Sequence, residues 1–197
     1  MAIQIDESNF NALITKYGLE KELINEEIIA NFSKYIEEKS FPKKTILLKQ
    51  GKICSNIYFI KKGLARNYFE NEGKELTTDI SIDGDLLVAF SSFIAQKPSK
   101  ENIEILEDSI LYSINYNDLE NLYRTFPPLE RVGRKMTEFH YNSLANHTFL
   151  MKFSNSKERY KYLFDHKIEV IKRAPIGIIA SYLGMKIETL SRIRNKW

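Results

Sequence analysis

The sequence points to an α+β chain: helices first, a sandwich or barrel of short strands next, then a long helix and a closing helix-turn-helix. Three observations carry this. Between Lys44 and Ile114, short β-rich runs alternate with glycines. From Leu129 to about Met151, apolar residues recur three and four positions apart. From Ile176 to Arg194, two short amphipathic stretches flank Gly184.

The elements follow in order. Residues 6–38 read as helical, with Leu13, Ile14 and Tyr17, then Leu23, Ile24, Ile28, Ile29, Phe32, Tyr35 and Ile36 at helical spacing, and Pro42 ending that register. Six strands are expected at Thr45–Leu48, Asn56–Ile60, Ala65–Phe69, Leu76–Ile80, Ile103–Leu106 and Ile110–Ile114. Short strands at intervals of about ten residues indicate a sandwich or barrel. Tyr116 to Tyr123 reads as a short helix stopped by Phe126-Pro127-Pro128. The long helix then carries Leu129, Val132, Met136, Phe139, Ser143, Asn146 and Leu150, a seam of coiled-coil type that predicts contact with a second copy. Polar Ser143 and Asn146 in that seam set register or face a ligand. Packing on the chain's own barrel is the alternative. Asn155 to Glu158 resembles a capping box opening another helix through Lys161, Leu163 and Phe164.

The segment Ile176–Arg194 is the most specific. Ala180 is small where two helices must approach closely, and Gly184 stands at the turn, where positive φ costs glycine little. Ile179, Leu183, Met185, Leu190 and Ile193 supply apolar contacts. The opposite face of the second helix presents Glu188, Arg192 and Asn195, flanked by Lys186, Thr189, Ser191 and Lys196. Arginine can bridge guanine O6 and N7, and glutamate can accept from cytosine N4. Glu188 and Arg192 are also four apart and could pair with each other. A helix-turn-helix places its second helix in the major groove of double-stranded DNA.

Charge agrees. From Lys152 to the C-terminus stand 11 Lys+Arg and 4 Asp+Glu, a net +7, whereas the preceding residues carry 18 against 22; the whole-chain +3 hides this asymmetry. Basic charge flanking the motif suits a polyanion partner. At 43% hydrophobic and 28% charged residues, with no signal peptide and no membrane-length apolar run, the chain reads as a cytoplasmic protein. Its one cysteine, Cys54, read as a half-buried strand residue, excludes an internal disulfide and a cluster held by several cysteines of this chain. Three histidines, His140, His147 and His166, lack metal-site spacing. Glycine-rich phosphate loops and Gly-x-Ser-x-Gly are absent, and nothing positive indicates an enzyme.

This order of elements, with glycines at Gly51, Gly63 and Gly84 and the run Gly184 through Glu188-Thr189-Leu190-Ser191-Arg192, resembles the Crp/Fnr superfamily across nearly the whole chain. The resemblance implies a bacterial regulator with a cyclic-nucleotide-binding-like jelly roll over 1–126, a dimerisation helix over 127–152 and a winged DNA-binding domain over 153–197. It also implies a homodimer and adds RNA polymerase as a candidate partner. The expected dimer contacts are Leu129, Val132, Met136, Phe139, Ser143 and Leu150.

Departures from that family shape the rest of the expectation. Members that bind cyclic nucleotides have Gly-Glu followed by Arg-Ser/Thr-Ala. Here Gly84-Asp85 matches the start, but the later segment is Pro98-Ser99-Lys100-Glu101-Asn102, without arginine. An arginine fork would meet a phosphate bidentately. Gly84, Asp85, Lys97, Ser99 and Lys100 are therefore the candidate ligand residues, with an unidentified small-molecule effector expected and cyclic AMP not. Lys186 stands where family members often have a capping Ser or Thr, and Ile187 where an arginine often reads a base. The sequence runs out at Trp197 without the strands of a wing, which would weaken DNA binding. The expected function is a ligand-responsive, sequence-specific DNA-binding transcription regulator. The alternative is a small-molecule-binding module whose helix-turn-helix is vestigial and which acts through protein partners.

Overall fold

The structure, a computed structural model, describes residues 15–18 and 26–196. Residues 15–17 are helical, and α1 spans Glu26–Ser33. The strands are β1 (Glu37–Phe41), β2 (Ile46–Leu48), β3 (Asn56–Lys62), β4 (Leu64–Asn71), β5 (Lys74–Ile82), β6 (Leu86–Leu87), β7 (Asn102–Ile105) and β8 (Ser109–Asn115), with a short helix α2 (Phe90–Ala95) between β6 and β7. They form two four-stranded sheets, ordered β1-β8-β3-β6 and β2-β7-β4-β5, all antiparallel. That is the sandwich the strand spacing indicated, in the jelly-roll-like form the resemblance implied.

The helical expectation over 6–38 needs correction at its end; Leu13, Ile14, Leu23 and Ile24 lie outside the described residues. Helix α1 stops at Ser33, whose hydroxyl donates to the Ile29 carbonyl (2.7 Å). Lys34 and Tyr35 form a turn, and Ile36 is buried in the barrel core rather than continuing a helix stripe. Glu37–Phe41 then pairs with β8, from Glu37 opposite Ser113 to Phe41 opposite Ser109. A strand-edge ladder overrides the local pattern here, because β1 is largely exposed and carries little hydrophobic signal. Cys54 also differs from its expectation: it is 2% exposed and lies in the loop before β3.

Turn chemistry sets the hairpins. Glu72 (φ 51°) and Gly73 (φ 75°) both take positive φ between β4 and β5, the signature of a tight hairpin turn whose twist matches its strands. Gly63, between β3 and β4, has φ 139°, and a β-carbon there would stand 2.0 Å from Ser109 Oγ and 2.9 Å from Ser109 Cα.

The second sheet is covered on both faces. On its inner side Ala65, Ile103 and Ile105 join Ile60, Leu87 and Leu111 of the first sheet in the barrel core. On its outer side Leu64, Ile80 and Leu106 pack against the C-terminal helices. Between Asn67 and Tyr68 the β4–β5 register shifts: Asn67 opposes Asp79 but Tyr68 opposes Thr77, so Thr78 is the extra residue of a bulge.

Helix α3 (Tyr116–Thr125) is capped by Asn115, which accepts from the Asp118 amide. Helix α4 (Pro127–Phe153) opens on two prolines suited to its first turn. Gly133 lets it cross over Tyr123, where a β-carbon would meet the phenolic oxygen at 2.1 Å. The expected dimer seam is partly taken by the chain itself. Leu129 is 6% exposed and belongs to the barrel core, while Met136 and Ser143 line a partly open cavity. The reason is geometric: this stripe faces the barrel at the N-terminal end of α4. Val132 and Leu150 are half-buried, and Phe139 is exposed, stacked edge-on against Tyr17.

Four helices close the chain: α5 (Ser156–His166), α6 (Ile168–Arg173), α7 (Ile176–Tyr182) and α8 (Ile187–Arg194). The capping box forms as read, with Asn155 Oδ1 accepting from the Glu158 amide (3.2 Å) and Glu158 Oε2 from the Asn155 amide (2.8 Å). Among the described residues no helix is long and apolar enough to cross a membrane.

Replacing Gly63 by alanine combines an unfavourable φ with a clash against backbone. We expect a loss of about 2 kcal/mol or more in urea denaturation. The G63A/S109G double variant should recover only part of it, because the φ penalty remains.

Candidate nucleic-acid interface and the cavity behind it

The two-helix unit is assembled as the apolar pattern indicated. Ile179, Ala180, Leu183, Leu190 and Ile193 are all buried, and Gly184 sits at φ 59° in the turn. Arg159 of α5 closes the end of α7, its Nη1 donating to the Leu183 carbonyl (2.8 Å), an otherwise orphaned acceptor. Lys186 occupies the N-cap of α8 with no side-chain cap bond.

The outward side of α8 is open. Lys186, Glu188, Arg192, Arg194, Asn195 and Lys196 are exposed, with Thr189 and Ser191 half-buried beside them. The expected Glu188–Arg192 ion pair does not form. Arg192 Nε instead reaches the Glu188 backbone carbonyl at 3.4 Å, which leaves the carboxylate and the rest of the guanidinium outward. Among the described residues, none of the four cations at 186, 192, 194 and 196 is paired with a carboxylate.

Other basic residues of this region are spent internally, holding the unit on the barrel. Arg173 bridges Asp83 and Glu107, and its Nη2 donates to the Gly63 carbonyl (2.7 Å). Lys167 donates to the Ile80 carbonyl (3.1 Å) and pairs with Asp79 (3.5 Å). Ser181 Oγ accepts from the Thr77 amide (2.9 Å) and donates to the Glu75 carbonyl (3.2 Å). Sequence reading found none of these, because each joins residues far apart in the chain.

Between the barrel, α4 and α7 lies a cavity of two adjoining lobes, about 180 Å³ and about 380 Å³. They share Asp79, Leu86, His140, Ser143, His147 and Tyr182. The smaller lobe adds Asn67, Thr78 and Glu101; the larger adds Tyr17, Asp85, Met136 and Lys167. His147 stacks on Tyr182 (4.5 Å between ring centres) and its Nε2 lies 3.2 Å from the Tyr182 carbonyl, so the cavity wall includes the last residue of α7. His140 lies against Phe90 at 4.2 Å.

Burial governs the ionisation here. Both His140 and His147 are pushed below the usual histidine range by burial, and so are neutral at pH 7. Burial opposes charge on Lys167 and Asp79 too, but each holds the other ionised: Lys167 lies above and Asp79 below its ordinary value. Glu101 is raised, chiefly by burial, although Asn67 Nδ2 (3.3 Å) and Thr78 Oγ1 (3.0 Å) donate to it. Tyr182 is pushed up to about 12, also by burial.

The five candidate ligand residues do not converge. Asp85 reaches the larger lobe, where it accepts from Lys16 and from the Ile82 amide (2.8 Å), while Gly84 shapes the turn before it (φ 79°). Lys97, Ser99 and Lys100 line neither lobe. Ser99 is buried in its own turn, its hydroxyl bonded to the Glu101 carbonyl and amide, both at 2.9 Å. The residue of this segment that does enter the cavity is Glu101. His140, His147, Asp79 and Tyr182 were missed as its walls, because only the fold juxtaposes them.

Comparison with known proteins matches residues 38–126 to the cyclic nucleotide-binding domain family. An anaerobic regulatory protein of Haemophilus influenzae is 26% identical, over 88% of this chain and 72% of its own length. The fumarate and nitrate reduction regulatory protein of Yersinia pestis is 25% identical, over 88% and 74%. These matches make the chain similar to regulators of the Crp/Fnr type over most of its length. The fold agrees. FixK2 from Bradyrhizobium japonicum superposes with a TM-score of 0.69 over 82% of this chain and 83% of that one, at 19% identity. The Thermus thermophilus catabolite activator protein gives 0.55 over 94% and 85%, at 18% identity.

Two groups associated with the Crp/Fnr family do not fit these residues. A cyclic nucleotide needs cations at its phosphate, yet the cavity's lysines, Lys16 and Lys167, are taken by Asp85 and Asp79, and the arginines within 38–126 are Arg66 and Arg124. Arg66 is 6% exposed, engaged by Glu75 and Glu104 away from the cavity, and Arg124 is exposed at the end of α3. An iron–sulfur cluster needs thiolates, and Cys54 is buried, its thiol raised by that burial and donating to the Asn56 carbonyl (3.4 Å).

The cavity's charges can be tested through stability. K167M leaves Asp79 without its cation and should cost about 2 kcal/mol in denaturant unfolding, discounted because both side chains are partly exposed; D79L/K167M should recover most of it. A histidine lowered in the folded state gives stability that is fully present above its unfolded pKa and is lost as pH falls toward the folded one. The melting temperature should therefore drop less from pH 7 to about 5.5 in H140Q/H147Q than in the parent.

Proposed function

We propose that this chain is a homodimeric, sequence-specific DNA-binding transcription regulator whose DNA-binding unit answers to occupancy of the cavity behind it. The single observation that carries this is the open face of α8. Glu188, Arg192 and Asn195 point outward from a tightly packed helix pair, and unpaired cations flank them. The relatives matched are transcription regulators, not enzymes. Their likeness supports a barrel over 1–126, a dimerisation helix over 127–152 and a DNA-binding unit over 153–197. It also supports work in the cytoplasm, with RNA polymerase as a further partner.

Dimerisation through α4 is supported by its outer side, where Tyr141, Phe149 and Phe153 are exposed. A two-fold dimer would read half-sites about one DNA turn apart. Signal would pass through Tyr182, which ends the first helix of the DNA-binding pair and lines the cavity. An occupant that binds one placement of the helix pair better than another shifts the population by that difference. The alternative, a vestigial helix-turn-helix, has the uncapped Lys186 in its favour and the open, unpaired cations against it.

Selection from random DNA pools by electrophoretic shift, at low salt, tests this; no enriched sequence would sink it. On the enriched site, R192A should cost ~1–3 kcal/mol and relax base preference. K186A should weaken all sequences alike and lower the salt slope by about one.

A further inference from the structure

Resting on the reading of the cavity as an effector site, we infer that its ligand is a compact organic cation, an amidinium, guanidinium or protonated amine on a small apolar body, held by Glu101. The smaller lobe contains two carboxylates, Asp79 and Glu101. Asp79 has Lys167 as its partner at 3.5 Å. Glu101 has neutral donors, Asn67 and Thr78, and no cation among the described residues. Two hydrogen bonds leave half of a carboxylate's acceptor positions open.

The bulge at Thr78 is what builds this end of the lobe. By adding one residue to β5 it brings Thr78 and Asp79 to the cavity together, and Thr78 Oγ1 then fixes the Glu101 carboxylate at 3.0 Å. Leu86, Val88, Phe90 and Leu144 supply an apolar body to the lobe. Its volume of about 180 Å³ is of the scale that accepts one small ring, an apolar cavity of about 150 Å³ being enough for benzene. An anion placed there would meet two carboxylates and two neutral imidazoles. A cation would gain a charge-assisted bond to Glu101 and relieve the cost of its burial.

Benzamidine, benzamide, benzoate and cyclic AMP, titrated into the full chain by calorimetry, separate the outcomes. The first three share a ring and differ in charge. Benzamidine should bind roughly tenfold or more tighter than benzoate or cyclic AMP, with benzamide between. E101Q, whose amide oxygen can still accept from Asn67 while its NH2 donates to the Thr78 hydroxyl, should erase the preference for benzamidine over benzamide. E101D, which keeps the charge, should retain it. Benzoate or cyclic AMP binding as tightly as benzamidine overturns the inference while leaving the cavity a ligand site. A preference that survives in E101Q overturns the assignment to Glu101. No heat with any probe up to about 10 mM overturns both the inference and the effector cavity, leaving DNA recognition to stand on its own selection experiment.

Discussion

The second sheet is buried on both faces, and the rest of the structure depends on that. Ala65, Ile103 and Ile105 on its inner side are 0% exposed, and so are Leu64 and Ile80 on its outer side. At ~1.5–3 kcal/mol for each fully buried large aliphatic side chain, Leu64, Ile80 and Leu106 together outweigh the ion pairs at the rim. Those pairs, Arg173 with Asp83 and Glu107 among them, are partly exposed and worth at most about 1 kcal/mol each. Apolar contact holds the C-terminal helices to the barrel. The ion pairs and the Ser181 bonds fix where along the sheet they sit.

A sheet buried on both faces cannot move on one side only. Along β5 successive residues face opposite ways: Asp79 and Ser81 line the cavity, while Ile80 between them packs under the C-terminal helices. A shift of β5 that relieves or strains the cavity therefore displaces the outer core as well. Lys167 makes the link a second time, bonding the Ile80 carbonyl and the Asp79 carboxylate at once. The stacked His147 and Tyr182 make it a third time, from α4 to α7. Coupling between cavity and C-terminal helices needs no long relay, because the two share one wall.

The sequence made the fold legible wherever period and burial coincide. The strands with one buried stripe, the proline-opened long helix, the Asn155 capping box and the small-glycine-apolar pattern around Gly184 all stand where the residues place them. Legibility failed where pairing, not pattern, decides. Strand β1 has an exposed and charged sequence, and only β8 makes it a strand. Leu129 fits a seam by spacing, but spacing does not say whether barrel or partner lies opposite. The cavity was legible only as chemistry. The absence of arginine near Ser99 disfavoured a phosphate, yet that Glu101 would be the residue turned inward required the bulge at Thr78, a feature of β4–β5 register with no sequence signature of its own.

The charge asymmetry also means less and more than its count. Of the 11 basic residues from Lys152 onward, Lys161, Lys167, Lys172 and Arg173 are paired with carboxylates, and Arg159 is committed to the Leu183 carbonyl. What remains for a polyanion is Lys152, Lys157, Lys186, Arg192, Arg194 and Lys196. Since each phosphate contact adds about 0.9 to the salt slope, these six set a ceiling near half of what the raw count suggests. The paired cations are no loss to DNA binding, however. Lys167 and Arg173 tie the helix pair to the barrel, so the six free ones are presented from a body that packs on the cavity wall. Cations in this region thus fall into two groups with different roles. One is open to a polyanion, and the other ties the helix pair to the barrel.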